Sequence, residues 1–211
     1  MGPIYLFSGI GADHRAFQKL DLSGYQVTYI DWLSVEGNEA IEHYAKRLLD
    51  QITSPKPILI GLSFGGIMAA EVAKLIEVEK IILIASVKTC HELPPSVKLN
   101  LIPFYKILPG WLLVRPNFIV NWLFGTESKS DRKLLADILH DTDPNFVKWA
   151  LDKITHWKNE RIHPHTIHIH GTADRLFPFK YIKGAIPVTG GGHLMTVNRS
   201  LELSGLIRRS I

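Results

Sequence analysis

The sequence predicts an α/β protein: an open, mostly parallel sheet with helices on both faces. Three observations carry that reading. Short apolar runs alternate with amphipathic segments along most of the 211 residues. One of these runs, Ile81-Ile82-Leu83-Ile84-Ala85, is apolar at every position, as expected of a strand covered on both faces. The order β-α-β-α-β is what right-handed crossovers between parallel neighbours produce.

The elements follow in chain order. Residues 4–7 (Ile-Tyr-Leu-Phe) and 27–30 are buried strands, with a short helix at 13–20 between them that Asp13 starts. A helix is expected over 38–53, because Ile41, Tyr44, Ala45, Leu48, Leu49 and Ile52 recur at three- and four-residue spacing and Asn38 can cap it. Pro55 and Pro57 punctuate before a third strand at 58–60. A helix over 64–77 follows, its inner face Met68, Val72, Leu75 and Ile76, and leads to the strand at 81–85. Two more strands are expected at 166–170 and 186–188, and a last helix over 195–209.

Residues 88–161 break this rhythm. They carry Pro94, Pro95, Pro103, Pro109 and Pro116 and many large apolar side chains. Helical patterns return at 131–139 and 143–157, the second with Asp143 as N-cap and Pro144 at the first helical position. The division expected is a core of 1–87 and 162–211 with a helical insertion, 88–161, over the carboxyl edge of the sheet. The apolar side chains of the insertion (Leu101, Phe104, Tyr105, Leu108, Trp111, Leu112, Phe118, Trp122, Leu123 and Phe124) read first as its own core, some of them lining a pocket.

Gly61-Leu62-Ser63-Phe64-Gly65 lies between the third strand and the following helix. A serine on so sharp a turn projects its hydroxyl above the sheet, and the crowded backbone requires small residues two before and two after it. A nucleophilic serine needs a base, and the base an orienting acid. Asp174, in His170-Gly171-Thr172-Ala173-Asp174, and His193, after Gly190-Gly191-Gly192, each follow a strand. Their chain order, Ser63, Asp174, His193, is the one this elbow requires. Two backbone donors for an oxyanion are expected from the amides of Phe64 and of Ile10, the latter in the glycine-flanked loop after the first strand.

Residues 7–13, 61–66, 170–174 and Gly192-His193 resemble the α/β-hydrolase superfamily, and together they run the length of the chain. The resemblance implies a hydrolase sheet beginning at the third strand of the full fold, with 88–161 as a short helical lid. It also implies Ser63 as nucleophile, His193 as base and Asp174 as orienting acid. Many relatives open the oxyanion loop with His-Gly, whereas this chain has Ser8-Gly9. The activity implied is hydrolysis of a small carboxylic ester or thioester through an acyl-enzyme, favouring short to medium acyl groups because the insertion is small. C–C bond hydrolysis, lyase and acyl-transfer chemistry reuse the same constellation, whereas dehalogenase and epoxide-hydrolase relatives would carry aspartate at the elbow. The alternative is a catalytically silent ligand-binding or partner module on the same fold. No cofactor is implied.

Other residues have competing readings. Asp13 serves as an N-cap or faces a polar substrate group. Glu92 is a fallback acid. His163, His165, His168 and His170 look like a metal cluster, but strand alternation sends them in pairs to opposite faces. Gly9-x-Gly11 lacks the third glycine of a dinucleotide loop. The net charge of +4 is scattered, which argues against a nucleic-acid surface. Cys90, the single cysteine, allows no intrachain disulfide. With neither a leader-like segment nor a long apolar stretch, the cytoplasm is the default location and stable membrane insertion is not expected. A membrane-surface role for 101–123 is a minor alternative, since Lys106 and Arg115 interleave with aromatic residues.

Overall fold

Period-two alternation along the strands divides the core into two apolar layers. The computed structural model describes residues 2–98 and 109–211. Its strands are β1 (Ile4–Phe7), β2 (Val27–Tyr29), β3 (Ile58–Leu62), β4 (Lys80–Ile84), β5 (Thr166–Gly171) and β6 (Ile186–Val188). They form one sheet in the order β2-β1-β3-β4-β5-β6, every pairing parallel. Tyr5, Phe7, Leu59, Ile81 and Leu83 point to one face, and Ile4, Leu6, Ile58, Ile60, Ile82 and Ile84 to the other. Both sets are buried, which is why these strands read as unbroken apolar runs.

The first face is covered by α1 (Ile41–Leu48) and α2 (Phe64–Val72). On the second lie a 3-10 turn, His14–Phe17, and the C-terminal α8 (Met195–Asn198) and α9 (Ser200–Ser210), through Phe17, Met195, Leu203 and Ile207. Between β4 and β5 come α3 (Pro95–Lys98), α4 (Gly110–Leu113), α5 (Phe118–Phe124), α6 (Lys129–Asp141) and α7 (Pro144–Thr155). Helix α7 starts as expected, with the Asp143 carboxylate accepting from the Asn145 amide and proline in the first turn. Its Phe146, Trp149, Ala150 and Ile154 belong to the first apolar layer. Trp149 stacks 4.5 Å from the Tyr44 ring, and its indole N–H donates to the Glu39 carbonyl at 3.0 Å. None of the helices is long and apolar enough to cross a membrane among the described residues.

Helix ends differ from the sequence expectation. Helix α1 begins at Ile41 after Ala40 rather than at Asn38, whose side-chain oxygen instead accepts from Lys153 at 2.6 Å. Helix α2 stops at Val72, leaving Leu75 45% exposed rather than on an inner face. The segment expected as one C-terminal helix breaks at Arg199 into two. Between Asp174 and β6 there is only a 3-10 turn, Phe179–Tyr181, introduced by Pro178. Leu101, Phe104, Tyr105, Lys106 and Leu108, and with them much of the membrane-surface alternative, lie outside the described residues.

Candidate active site

The sheet order reverses between β1 and β3, because β1 pairs with β2 on one side and β3 on the other. The carboxyl ends of strands at such a switch point bound a ready crevice. Ser63 stands there, between β3 and α2, with φ 55° and ψ −122°. A non-glycine residue in this region costs roughly 1–3 kcal/mol and persists only when its surroundings fix it. Here the Ser63 amide donates to the Ile84 carbonyl at 2.9 Å, and the Ser86 hydroxyl donates to the Ser63 carbonyl at 2.6 Å. The flanking glycines are a steric necessity. A Cβ on Gly61 would overlap the backbone of Gly65 and Gly66, and one on Gly65 would overlap the Phe7 and Ser8 carbonyls.

Strand β5 ends where Gly171 passes so close to Gly191 that a side chain would collide with it. The Ala173 amide donates to the Gly191 carbonyl at 2.9 Å, joining the Asp174 loop to the His193 turn. This brings the three separated residues together. His193 Nε2 lies 2.8 Å from Ser63 Oγ, and His193 Nδ1 lies 2.8 Å from Asp174 Oδ2. The other Asp174 oxygen, Oδ1, accepts from the Leu176 and Phe177 amides at 2.8 and 2.9 Å. All three side chains are buried. The rings of Phe124 and Phe177 stand against the imidazole, and the Leu194 amide ties its turn to the Phe124 carbonyl at 2.9 Å.

Burial pushes the Asp174 carboxyl up, but the facing His193 and His170, with the Phe177 amide, outweigh it and hold the group below the usual carboxylate range. Sequence reasoning missed the other side of that carboxylate. His170 Nε2 sits 2.8 Å from the Phe177 carbonyl and 3.5 Å from Asp174 Oδ2, while His170 Nδ1 is 3.2 Å from His168 Nε2. The His-Gly-x-x-Asp spacing, with histidine four residues before the acid, was the available signal. Burial, then the His170 and Lys88 charges, lower the His168 pKa to about 3. Although the Ser86 backbone is near, His168 Nδ1 lacks a well-formed hydrogen bond.

A stability prediction follows. The folded value for His168 lies below the unfolded one, so the unfolded chain takes up its proton first as pH falls. The contribution is complete above about pH 6.5, and is lost progressively toward the folded value of about 3. By pH 5 the loss should reach about 2 kcal/mol, with His170, also lowered, acting in the same direction and Asp174 adding its share only below about pH 4. Urea midpoints measured at pH 8, 6 and 5 should fall in that order; equal midpoints would contradict it.

The loop after β1 turns beside Ser63. The Ala12 amide donates to the Gly9 carbonyl at 3.1 Å, making Ile10 and Gly11 (φ 61°) the central residues of a tight turn. In such a turn the amide of the first central residue, Ile10, takes no part in the closing bond. The Ser8 hydroxyl donates to the Ala12 carbonyl, and Trp32 Nε1 donates to the Gly9 carbonyl at 3.1 Å. Phe64 opens α2, so its amide has no intrahelical acceptor. Ser63 and His193 open on a cavity of about 640 Å³. Its walls include Ile10, Leu113, Ile119, Leu123, Phe124, Leu135, Leu139, Leu151 and Phe177, and no charged side chain lines it among the described residues.

The remaining candidates fall elsewhere. Asp13 caps the His14–Phe17 turn, accepting from the Arg15 amide at 2.9 Å and pairing with its guanidinium; it does not line the Ser63 cavity. Glu92 is held by the Lys88 and Lys183 amides at 2.7 and 3.1 Å, and the carboxylate on His193 Nδ1 is that of Asp174. His163 stands against His165 and His168 against His170, but β5 begins at Thr166, so strand alternation governs only the second pair. Neither pair belongs to a metal-sized cluster of ligands among the described residues. Of the aromatic residues in 88–161, Phe124 and the neighbouring Leu123 line the cavity, whereas Trp111, Phe118 and Trp122 are largely exposed.

Solved structures share this architecture. A thermophilic esterase from Thermogutta terrifontis, described with malate bound, superposes with a TM-score of 0.74 at 16% identity, covering 99% of this chain and 89% of its own. An enol-lactonase from Burkholderia xenovorans LB400 gives 0.74 at 17% identity, covering 100% and 91%. A bromoperoxidase from Bacillus anthracis gives 0.66 at 17%, covering 100% and 92%. At these identities the likeness establishes the fold. No curated protein sequence matches the chain. The model of the alpha/beta hydrolase family matches residues 4–203, and the chain belongs to that family.

Proposed function

We propose that this hydrolase cleaves a small carboxylic ester or thioester through an acyl-enzyme on Ser63. The observation that carries the reading is the unbroken run of hydrogen bonds from Ser63 through His193 to Asp174, opening on an apolar cavity. Ser63 Oγ attacks the carbonyl carbon while His193 Nε2 takes its proton. The oxyanion so formed faces the amides of Phe64 and Ile10, each such donor typically worth roughly 3–4 kcal/mol. His193 then returns the proton to the departing alkoxide or thiolate. Water, activated by the same imidazole, releases the acid. Asp174 stays ionised throughout, orienting the ring and stabilising its charged form. Residues 88–161 act as a helical lid over a core of 1–87 and 162–211, with α5 and α6 supplying much of the acyl wall.

The cavity also sets an expectation about substrate. Its volume lies within the range of small-molecule sites, about 300–1,000 Å³, and its walls reward apolar carbon. Each methylene transferred from water contributes about 0.8 kcal/mol. Across p-nitrophenyl esters from acetate to octanoate, kcat/KM should therefore rise by up to about 4-fold per methylene and level off within the medium-chain range. A slope that continues into palmitate would contradict a short- to medium-chain site. Parallel acyl-thioesters decide the leaving group. The rival reading, a silent binding module, predicts ester binding without turnover across the whole panel.

A further inference from the structure

Two buried histidines stand behind Asp174, and the steps above use neither. His170 has no measurable exposure and His168 very little, although ionisable side chains are rarely buried without a partner. Their hydrogen bonds fix where the protons lie. The Phe177 carbonyl can only accept, so His170 Nε2, 2.8 Å away, carries hydrogen. In a neutral ring Nδ1 is then the acceptor, and His168 Nε2–H is the donor 3.2 Å away. Burial lowers the pKa of both rings from the usual histidine value, in keeping with neutral imidazoles.

The same Nε2–H stands 3.5 Å from Asp174 Oδ2, the oxygen that receives His193. The carbonyl it binds belongs to Phe177, whose amide, with that of Leu176, holds Asp174 Oδ1. One ring therefore braces both ends of the carboxylate's turn. We infer that His170, with its tautomer set by His168, is a positioning residue that aims the Asp174 carboxylate at His193. A charged ring there would compete with His193 for one oxygen; a neutral one supports the carboxylate and leaves its charge to His193. The charged and titratable groups facing His170 are Asp174, His193, His168 and, from the segment after β4, Glu92; Lys88 faces His168. This inference rests on the reading of Asp174 as the orienting acid.

Two polar replacements separate aiming from mere filling of space. In His170→Gln the amide nitrogen can stand near the former Nε2 and keep the donor. In His170→Asn an oxygen can still accept from His168, but no group reaches Phe177. Misplacement of a catalytic group by about 1 Å costs on the order of 100-fold. With p-nitrophenyl butyrate, and rates normalised to folded protein by near-UV circular dichroism, His170→Asn should lower kcat by about 10- to 100-fold with KM little changed. His170→Gln should stay within about 3-fold of the unmodified protein. Added to Asp174→Ala, His170→Asn should cost less than about 2-fold more, because groups acting through one another are not additive. Equal kcat in the Asn and Gln variants, or a full loss persisting in the Asp174→Ala background, overturns the inference. If Asp174→Ala itself leaves kcat intact, the orienting-acid reading falls and this inference with it. If Asp174→Ala disables the enzyme while the two His170 variants match, only the role of His170 falls.

Discussion

Ser63→Ala should retain no more than about one part in 10⁴ of the ester-hydrolysing rate, because the serine and histidine of such a site act as a unit. The loss should be chemical, not conformational. Alanine leaves the backbone bonds to Ile84 and from Ser86 in place, and the hydroxyl itself bonds His193 Nε2. Leaving that nitrogen without a protein partner costs about 1–3 kcal/mol, less than the roughly 5–15 kcal/mol that keeps a typical domain folded. Far-UV circular dichroism should therefore stay that of the unmodified protein, the urea midpoint falling somewhat but the chain remaining folded without denaturant, while kcat/KM collapses. Retention of even one-tenth of the rate would move the nucleophile elsewhere.

Asp174→Asn should cost about 10⁴-fold in kcat, through the histidine rather than through contact with substrate. An asparagine oxygen can replace Oδ1 in accepting from the Leu176 and Phe177 amides, so the turn is kept. Its amide NH2 then faces His193 Nδ1, where a carboxylate oxygen stood at 2.8 Å. That nitrogen becomes the acceptor, and the ring proton moves to Nε2, facing Ser63 Oγ. A nitrogen already carrying hydrogen cannot take the serine proton. Steady-state kinetics beside a near-UV spectrum checks both halves of this: a large fall in kcat with the fold retained. A fall of less than 10-fold would show that the acid does not govern the imidazole.

The parts of the molecule legible in the sequence are those fixed by local constraint. Strands β1, β3 and β4 are apolar at nearly every position because helices cover both faces. The elbow is legible because Gly61 and Gly65 are required by backbone approaching from residues nearby in the fold. Helix ends were less so. Asn38 is a good cap by type, yet its side chain is bound by Lys153 from α7, a contact more than a hundred residues distant. Leu75 and Ile76 continue the spacing of α2, but the helix ends at Val72, and Leu75 is left partly in water.

Within the site the division is similar. Ser63, Asp174 and His193 each follow a strand, so topology brings them to one edge. His170 could be placed in a strand and on a face, but its bond to Phe177 depends on how the chain folds back after Asp174. The cavity wall is less legible still. Leu123, Phe124, Leu135 and Leu151 come from three helices whose periodic patterns say only that one side is buried.

The central claim is that the Ser63 hydroxyl is a nucleophile activated by His193. A fluorophosphonate probe reads that property directly, since only an activated serine displaces fluoride at a useful rate. Digestion and mass mapping should find one adduct, on Ser63, absent from Ser63→Ala and formed far more slowly in His193→Ala. No labelling of the folded protein, or labelling unchanged in either variant, would contradict it.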